Sequence, residues 1–302
     1  MTAVPRHALL AAGLDPDAVL RLVRDTLAED LGEAGDVTSQ ATVPEDAWLD
    51  VRYVARQSGT VAGLPVLAAM VQDALGESAH LVTRVVDGAR VAPRDVLAEL
   101  GGPARGVLAL ERTSLNLLSH LSGVATVTAA WVAAVEGTGA RVRDTRKTMP
   151  LLRSLEKYAV RCGGGVNHRA GLHDAVLVKD NHVAAAGGVG AALDAVAASS
   201  AARGVPVQVE VDDLAQLDEA LAHGAPQVLL DNFDLDDLRE AVRRTRCCAP
   251  GTLLEASGGL SLDGARAVAQ TGVDFLAVGA LTHSAPALDI GMDVAAPGLG
   301  DR

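Results

Sequence analysis

The stretch VPVQVEVDDLAQLDEALAHGAPQVLLDN, residues 205–232, sets the fold class of this chain. Two short apolar runs, Val205–Asp212 and Gln227–Asn232, end in acidic or amide side chains and flank a segment with the spacing of a helix. A strand, a helix and a second strand in that order are typical of a parallel sheet. The stretch therefore predicts an α/β unit whose strands carry polar groups at their C-terminal ends.

The same unit recurs on both sides of this stretch. Four more short apolar runs end in a reactive or glycine-rich cluster, and successive clusters lie roughly 20–35 residues apart. For six such strands we expect a parallel β/α barrel, complete or incomplete. Barrel enzymes build their active sites at the C-terminal ends of the strands, so the clusters should meet at one mouth. The four further runs are Arg141–Lys147, Ala175–Asn181, Thr252–Gly259 and Phe275–Leu281.

The preceding part of the chain predicts a separate domain with helices and strands mixed. Asp15 and Pro16 form a helix start, because an N-cap carboxylate precedes a proline suited to the first turn. We expect an N-terminal α/β sandwich over residues 1–118 and the barrel over 119–284, with a tail from about 285 to 302 that packs back on the first domain. The elements predicted first are helices ending near Asp30 and at Pro65–Leu75, strands at Trp48–Gln57, Leu81–Val86 and Val96–Leu100, and a helix from Arg105 to about Val135 with a break near Gly123.

Composition narrows the possible functions. Hydrophobic residues make up 49% of the 302 residues and aromatic ones only 2%, so we expect a globular core of Ala, Val and Leu. The net charge of -12 argues against nucleic-acid binding, which requires a basic face. The apolar run Val183–Leu193 is far shorter than the roughly 20 residues of a membrane helix, so no span is expected. Cys162, Cys247 and Cys248 suggest no disulfide framework, which favours reduced thiols in a cytoplasmic protein.

Cationic side chains accumulate at the predicted strand ends. Arg146 and Lys147 follow one run, Lys179 ends the next, and His168 and Arg169 lie in the glycine-rich loop between them. A lysine at the end of an apolar strand is costly unless it has a partner or a task. Arginine pairs with carboxylates in a bidentate manner. We therefore expect these five groups to bind a polyanionic, carboxylated substrate.

Carboxylates and small residues complete the predicted site. Glu210 and Asp231 emerge from apolar strands, where carboxylates usually bind a metal, a hydroxyl or a cation. The last two strand loops of a barrel commonly hold a phosphate through backbone N–H groups. A sugar phosphate is therefore a fitting second ligand. The residues of the expected phosphate cradle are Ser257, Gly258, Gly259, Gly279 and Ala280.

Ten motifs spread over nearly the whole chain carry a resemblance to a known family. The longest are Glu111–Asn116, Asp144–Thr148, Arg161–Arg169 and Lys179–His182. Shorter ones are Glu29–Gly32, Gly35–Thr38, Glu210–Asp212, Leu230–Asn232, Glu255–Gly259 and Gly279–Asp289. In this order they resemble the quinolinate phosphoribosyltransferase family. Two departures stand out: Met149–Arg153 reads Met-Pro-Leu-Leu-Arg where many relatives have Thr-Pro-Gly-Leu-Arg, and Ala170 replaces a larger residue.

The resemblance implies a type II phosphoribosyltransferase fold and a reaction of NAD biosynthesis. The family transfers phosphoribose from phosphoribosyl pyrophosphate to quinolinate, with Mg²⁺, and gives nicotinate mononucleotide, pyrophosphate and carbon dioxide. Arg112 is implied to enter a neighbouring subunit's site, and hence a homodimer is implied. The implied quinolinate ligands are Arg112, Thr145, Arg146, His168, Arg169 and Lys179. The resemblance places Lys147 and His283 near pyrophosphate. It implies that Glu210 and Asp231 bind ribose hydroxyls, directly or through Mg²⁺. The implied 5′-phosphate ligands are Ser257, Gly258, Gly259, Gly279 and Ala280, and the implied catalytic residues are Lys147, Glu210 and Asp231.

Four other interpretations remain open at this point. A family member acting on another acceptor, such as nicotinate, would need fewer cations. A Schiff-base aldolase with Lys179 as nucleophile would leave the arginines without a role. A metal site formed by His168, His173 and His182 lacks the helical spacing of paired ligands. A non-catalytic phosphate-binding protein would not require both carboxylates.

Overall fold

The structure is a computed structural model that describes residues 3–295, with side chains described from residue 5. Secondary-structure elements are numbered along the chain. The helices are α1 (Ala3–Ala11), α2 (Pro16–Leu31), α3 (Val37–Thr42), α4 (Leu64–Leu75), α5 (Ala104–Ala134), α6 (Arg153–Cys162), α7 (Asp180–Ala186), α8 (Val189–Ala198), α9 (Leu214–Ala222), α10 (Leu235–Cys248), α11 (Ala265–Ala269) and α12 (Ala280–His283). The strands are β1 (Trp48–Ala55), β2 (Gly59–Thr60), β3 (His80–Thr83), β4 (Arg90–Val91), β5 (Val96–Pro103), β6 (Arg141–Arg143), β7 (Val176–Val178), β8 (Val207–Val211), β9 (Gln227–Asp231), β10 (Leu253–Ser257), β11 (Phe275–Ala277) and β12 (Ile290–Val294).

The helix starts follow their sequence signals. Asp15 accepts a hydrogen bond from the Asp17 N–H at 2.9 Å, and Pro16 occupies the first position of α2. Asp234 caps α10 in the same way, because it accepts from the N–H groups of Asp236 and Asp237 at 2.9 Å each. These bonds satisfy backbone donors that a helix leaves unpaired at its first turn.

Two units divide the chain. The first contains the described residues up to Val127, Met149–Gly164 and the described residues from Ala285 onward. The second contains Thr128–Thr148 and Gly165–Ser284. This division lies inside α5, whereas the sequence interpretation set a boundary at residue 118 and left 149–164 in the barrel domain.

The first unit is built on an antiparallel sheet of order β12-β1-β5-β3. In β1, Val51 pairs with Leu100 of β5 on one side and with Val294 of β12 on the other. Val51 and Leu100 are fully buried, as is Tyr53, whose hydroxyl lies 2.9 Å from the Ser114 hydroxyl. The strand nearest the C-terminus thus completes the sheet of the first unit.

Helix α5 runs through Gly123 without the break that the sequence predicted. An added Cβ at Gly123 would lie 2.1 Å from the carbonyl oxygen of Pro286. The glycine is therefore explained by the close approach of a neighbouring backbone, and the helix itself continues.

Helix α5 also bears on the prediction that the chain has no membrane-spanning helix. The stretch from Thr113 to Val135 has no Asp, Glu, Lys or Arg, and α5 is long and apolar enough to cross a bilayer. Half of its most apolar window is buried within the protein, and a core helix passes the same test of length and composition. One such helix is weak evidence of a span, so burial outweighs composition here.

The second unit contains the six parallel strands that the sequence predicted, in the order β6-β11-β10-β9-β8-β7. This is the cyclic order of a β/α barrel with the seam between β6 and β7 unpaired. At that edge, the N–H of Val166 donates to the carbonyl of Val142 at 2.9 Å, so one loop residue extends the ladder. The buried strand side chains are small: Val142, Val178, Val209, Val211, Val228, Leu230, Leu254, Ala256 and Leu276.

The turn before α6 holds a conformation that its residue disfavours. Leu151 has a φ of 64°, in the left-handed region, and its side chain is 88% exposed. Left-handed backbone costs about 1–2 kcal/mol for a residue with a Cβ. Leu151 stands where the family pattern has glycine, which adopts this conformation without that cost.

We predict that Leu151→Gly stabilises the protein. Relief of the left-handed strain exceeds the extra chain entropy that glycine loses on folding, so the free energy of unfolding rises by about 0.5–1 kcal/mol. Urea unfolding at pH 7 measures the change. Leu172→Gly is the matched control, because Leu172 is also exposed but has no positive φ. Equal effects of the two substitutions would contradict this account.

Candidate active site

All six strands of the second unit contribute to one cavity at their C-terminal ends. Its volume is about 400 Å³, within the range of small-molecule sites. The sheet must curl for six strand ends to share one cavity, as the cyclic strand order requires. The lining residues are Thr145, Arg146, Lys147, His168, Arg169, Leu177, Lys179, Glu210, Leu229, Asp231, Glu255, Ser257 and Ala277.

Two guanidinium groups face this cavity under mutual repulsion. Burial, and next the positive charge of Arg146, lower the pKa of Arg169, while Asp174 acts in the opposite direction. The Nε atoms of Arg146 and Arg169 are buried and have no hydrogen-bond partner among the described residues. Two close like charges with unused donors are relieved by an anion. The pair is therefore suited to a ligand with more than one negative charge.

A lysine and two carboxylates line the same cavity. The Nζ of Lys179 donates to Oε2 of Glu210 at 2.5 Å, and the Nδ2 of Asn232 donates to Asp231 at 2.7 Å. This ion pair explains why a lysine is tolerated at the end of an apolar strand. The backbone N–H of Lys179 also donates to Nδ1 of His182 at 3.0 Å, which fixes the start of α7.

The expected phosphate-binding residues lie at the ends of the last two barrel strands. Gly258 has a φ of 89°, and an added Cβ there would lie 2.1 Å from Oδ1 of Asn232. Gly259 also has a positive φ, of 58°. Both positions therefore favour glycine, because a Cβ would clash at Gly258 and would be strained at Gly259.

Lys147 lies at the same end of the barrel, next to Gly279 and His283. A Cβ added to Gly279 would lie 3.1 Å from Cδ of Lys147 and 3.2 Å from Nε2 of His283. The Thr282 hydroxyl donates to the carbonyl of Lys147 at 2.7 Å, which ties this backbone to α12. Ala280, the first residue of α12, follows Gly279 directly in the chain.

Arg112 and His173 lie outside the cavity lining. Arg112 is exposed on α5. His173 is exposed in the loop before β7. Among residues 3–295, no three His, Cys, Asp or Glu side chains form a group that could hold a metal ion.

Asp144 was missed as a functional candidate by the sequence reasoning. Its carboxylate is fully buried and accepts the backbone N–H of His168 at 2.6 Å and the side-chain amide of Asn167 at 2.7 Å. These bonds hold the glycine-rich loop against the end of β6. Its position before Arg146 and Lys147 was the available signal, but an acid among cations also fits a solvated loop.

Glu255, just before the expected phosphate-binding residues Ser257–Gly259, has a structural role that the sequence did not predict. The carboxylate is only 1% exposed and accepts a hydrogen bond from Nη1 of Arg143 at 2.6 Å. Burial alone would raise the pKa of Glu255, but His168 and Arg143 together hold it below its ordinary value. The guanidinium of Arg143 also lies 4.3 Å from the ring centroid of Phe275. A buried ion pair therefore forms part of the cavity floor.

A larger cavity, of about 790 Å³, lies in the first unit between α1 and α4. Its polar end includes Asp87 and Tyr158, and the Tyr158 hydroxyl donates to Asp87 at 2.6 Å. Burial raises the pKa of Asp87, which also accepts the Gly63 N–H at 2.7 Å. The described residues that line this cavity are mainly Ala, Leu and Val, without paired cations, so we assign the chemistry to the barrel mouth.

The fold and the cavity define a class: β/α-barrel enzymes that bind small polyanions at the C-terminal ends of their strands. Comparison with known proteins specifies the family. The family model described as "Quinolinate phosphoribosyl transferase, N-terminal domain" matches residues 36–122, and that of the C-terminal domain matches residues 124–293. This chain belongs to the quinolinate phosphoribosyltransferase family.

Individual relatives agree with that membership. A nicotinate-nucleotide pyrophosphorylase [carboxylating] of Mycobacterium leprae is 52% identical over 92% of this chain and 98% of its own length. A probable enzyme of the same name from Bacillus subtilis is 40% identical over 91% of this chain and 92% of its own. The solved nicotinate-nucleotide pyrophosphorylase of Francisella tularensis is 37% identical, with a TM-score of 0.85 over 93% of this chain and 98% of that one.

We predict that Glu255→Gln destabilises the protein in a pH-dependent manner. The substitution leaves the Arg143 charge buried without its counter-charge, which lowers the free energy of unfolding at pH 7 by about 3–5 kcal/mol. The folded-state pKa of Glu255 is below the ordinary 4.5, so its stabilisation is present above that pH and is lost as the pH falls. Urea unfolding of both proteins at pH 7 and pH 4 should therefore show a smaller difference at pH 4.

Glu240→Gln is the control for this measurement. Hydrogen bonds from Arg243 and Arg244 lower the pKa of Glu240 to about 2, but this carboxylate is solvent-exposed. Exposed ion pairs contribute little, so the control should change stability far less than the buried site. If the two substitutions lower the free energy of unfolding equally at pH 7, burial of Glu255 is not the reason for its destabilising effect.

Proposed function

We propose that this chain transfers phosphoribose from phosphoribosyl pyrophosphate to quinolinate, with loss of carbon dioxide, in NAD biosynthesis. The products are nicotinate mononucleotide and pyrophosphate. The observation that carries the proposal is the pair of repelling guanidiniums, Arg146 and Arg169, in one barrel-mouth cavity with two carboxylates. Family membership and the names of the relatives support the same reaction.

Quinolinate fits the cationic side of the cavity. Its two adjacent carboxylates would neutralise the positive charges of Arg146 and Arg169. Planar guanidinium groups pair with carboxylates in a bidentate manner. Thr145 and Lys179 line the same cavity and complete the acceptor side. Fixed charges that hold the pyridine ring in place contribute to catalysis through orientation.

The ribose of the donor fits the carboxylate side. As pyrophosphate departs, positive charge develops on the ribose, and Glu210 and Asp231 stabilise such a transition state electrostatically. Lys147, beside Gly279 and His283, is proposed to neutralise the leaving pyrophosphate. The N–H groups after β10 and β11, including those of Ser257, Gly258, Gly259 and Ala280, are suited to the 5′-phosphate.

The donor set also fits Mg²⁺. This ion is usually bound by one or two carboxylates together with substrate phosphates, and Glu210 and Asp231 are two such carboxylates in one cavity. When bound, Mg²⁺ supplies charge neutralisation to the pyrophosphate. We propose Glu210 and Asp231 as its protein ligands, directly or through water.

Decarboxylation requires positioning more than acid–base chemistry. Once the ribose is attached, the ring nitrogen carries a positive charge, which stabilises the electron pair that departing carbon dioxide leaves on the adjacent ring carbon. The vacated ring carbon then takes up a proton. The protein's contribution is to hold the ring and its carboxylates in place, and no covalent enzyme intermediate is needed.

The active assembly is proposed to be a homodimer in which Arg112 enters the partner's site. Arg112 is exposed and is not among the residues that line the cavity of its own chain. A two-fold dimer would make this exchange reciprocal. We also propose a cytoplasmic location, since Cys162, Cys247 and Cys248 are all free thiols.

The proposed acceptor site predicts the effect of Arg146→Ala. Loss of a charge-assisted hydrogen bond of about 1.5–3 kcal/mol should raise the KM for quinolinate roughly 10- to 150-fold. The KM for phosphoribosyl pyrophosphate should change less than threefold, about 0.6 kcal/mol. Initial rates of nicotinate mononucleotide formation measure both values.

Arg239→Ala is the matched control for this test. Arg239 is an exposed arginine of α10 that pairs with Asp236 at 2.6 Å and does not line the cavity. Its loss should leave both KM values at the wild-type level. Equal weakening of the two substrates by Arg146→Ala would overturn the acceptor assignment, as would faster product formation from nicotinate than from quinolinate by the wild-type enzyme.

The proposed dimer predicts complementation between two inactive variants. Arg112→Ala and Lys179→Ala should each be nearly inactive alone. Random mixing of their subunits in equal amounts gives half heterodimers, each with one intact site, so about a quarter of wild-type activity should return. Activity after co-refolding is the measurement, and the separately refolded variants are its control. No recovery in a mixture shown to contain heterodimers would exclude the exchange of Arg112.

A further inference from the structure

Glu156 of α6 is a buried acid that the proposed reaction does not use. Its side chain is 0% exposed, and both carboxylate oxygens have a partner. Oε1 lies 2.8 Å from Nε2 of His120 on α5, and Oε2 accepts the backbone N–H of Met149 at 3.1 Å. A carboxylate only accepts hydrogen bonds, so Nε2 of His120 is the donor. A buried acid is costly unless it is paired, and this one is paired with two separate segments.

The Met149 peptide directly follows the two cations Arg146 and Lys147 and the residue Thr148. The N–H of Thr148 donates to the carbonyl of Arg146 at 3.0 Å, which folds this segment into a tight turn. The next N–H along the chain is that of Met149, and Glu156 accepts it. The acid therefore fixes the point at which the cation-bearing segment ends.

Capping of α6 accounts for only one of the two contacts of Glu156. The helix begins at Arg153, and Leu152 before it provides no side-chain cap. An acid in the first turn that accepts an N–H from the preceding turn is a common way to begin a helix. The second oxygen, however, is paired with His120 on a different helix. That contact holds the carboxylate in one orientation, which capping alone does not require.

Helix α6 is anchored a second time within the first unit. The Tyr158 hydroxyl donates to Asp87 at 2.6 Å, and Asp87 accepts the Gly63 N–H at 2.7 Å, at the start of α4. Glu156 is therefore carried by a helix that a second carboxylate also secures. A fixed helix gives the Met149 peptide a fixed acceptor.

We propose that Glu156 is a positioning residue for Arg146 and Lys147. It fixes the peptide that follows these cations, and His120 in turn fixes the Glu156 carboxylate. Misplacing a substrate-orienting group by about 1 Å costs on the order of 100-fold in rate, so such an anchor matters for the site. The inference rests on the proposed function only for the identity of the anion that Arg146 binds.

Two substitutions at Glu156 separate positioning from packing. Glu156→Gln keeps one oxygen that can accept the Met149 N–H, whereas Glu156→Met is similar in size and has no such acceptor. In calorimetric titrations we expect the Gln variant to bind quinolinate within about fivefold of the wild-type affinity. The Met variant should bind it at least about tenfold more weakly than the Gln variant.

Ribose 5-phosphate is the comparison ligand, because it lacks the carboxylates that pair with Arg146. Its affinity should change less than about threefold in both variants, which a general folding defect would not produce. Equal weakening of quinolinate binding by the two substitutions would overturn the proposal. So would unchanged quinolinate binding in the Met variant, or an equal loss of ribose 5-phosphate binding.

Asp274→Asn is the matched control for these titrations. Asp274 also accepts from a cationic side chain and a backbone N–H, those of Arg246 at 2.9 Å and Leu254 at 2.7 Å. It lies directly before β11, at the opposite end of the strand from the cavity. Its quinolinate affinity should stay within about twofold of wild type. A loss equal to that of Glu156→Met would contradict a specific role for Glu156.

A second measurement needs no variant. Hydrogen exchange followed by NMR in the wild-type protein reports whether the Met149 N–H is held. Met149 is 47% exposed, so without a partner this N–H would exchange nearly as fast as in an unstructured chain. We expect exchange to be slowed at least about 100-fold, and exchange at the unstructured rate would overturn the proposal. Failure to convert quinolinate would defeat the proposed function and leave this exchange test intact.

Discussion

The repulsion between Arg146 and Arg169 is the constraint on which the site depends. Two guanidinium groups face one cavity, and the pKa of Arg169 is lowered first by burial and next by the positive charge of Arg146. The rest of the barrel mouth holds them in place. Asp144 secures the loop that carries Arg169, and the ion pair between Glu255 and Arg143 stabilises the floor beneath it.

The barrel tolerates these charges because its own core is built mainly from aliphatic side chains. Its strands bury mainly Ala, Val and Leu, with the buried polar side chains Gln208 and Glu255 as exceptions. Charged residues then enter at the strand ends, where six clusters share one cavity. The net charge of -12 describes the chain as a whole, whereas the field inside the cavity is set locally by a few cations.

Much of the fold could be predicted from the sequence, because strand–helix units and helix caps are local patterns. The six parallel strands and the cap at Asp15 were predicted and are confirmed. The break at Gly123 was wrong, since the reason for that glycine is a contact with Pro286, distant in the chain. Contacts between distant residues leave no local pattern in a single sequence.

In the candidate site, too, some residues could be predicted from the sequence and others could not. Charges at strand ends predicted Arg146, Lys179, Glu210 and Asp231, and the structure brings their side chains into one cavity. The supporting residues were not predictable, because the importance of Asp144 and Glu255 lies in burial and in partners from other elements. Only the folded chain shows that Glu255 is an acceptor on the cavity floor.

The central claim is that the paired guanidiniums make this cavity a site for a dianion. Calorimetric titration of the wild-type protein with pyridine-2,3-dicarboxylate and with pyridine-3-carboxylate at pH 7 tests it most directly. The account predicts that the dicarboxylate binds at least tenfold more tightly, a difference of about 1.4 kcal/mol or more. Equal affinity for the two ligands, or tighter binding of the monocarboxylate, would contradict it.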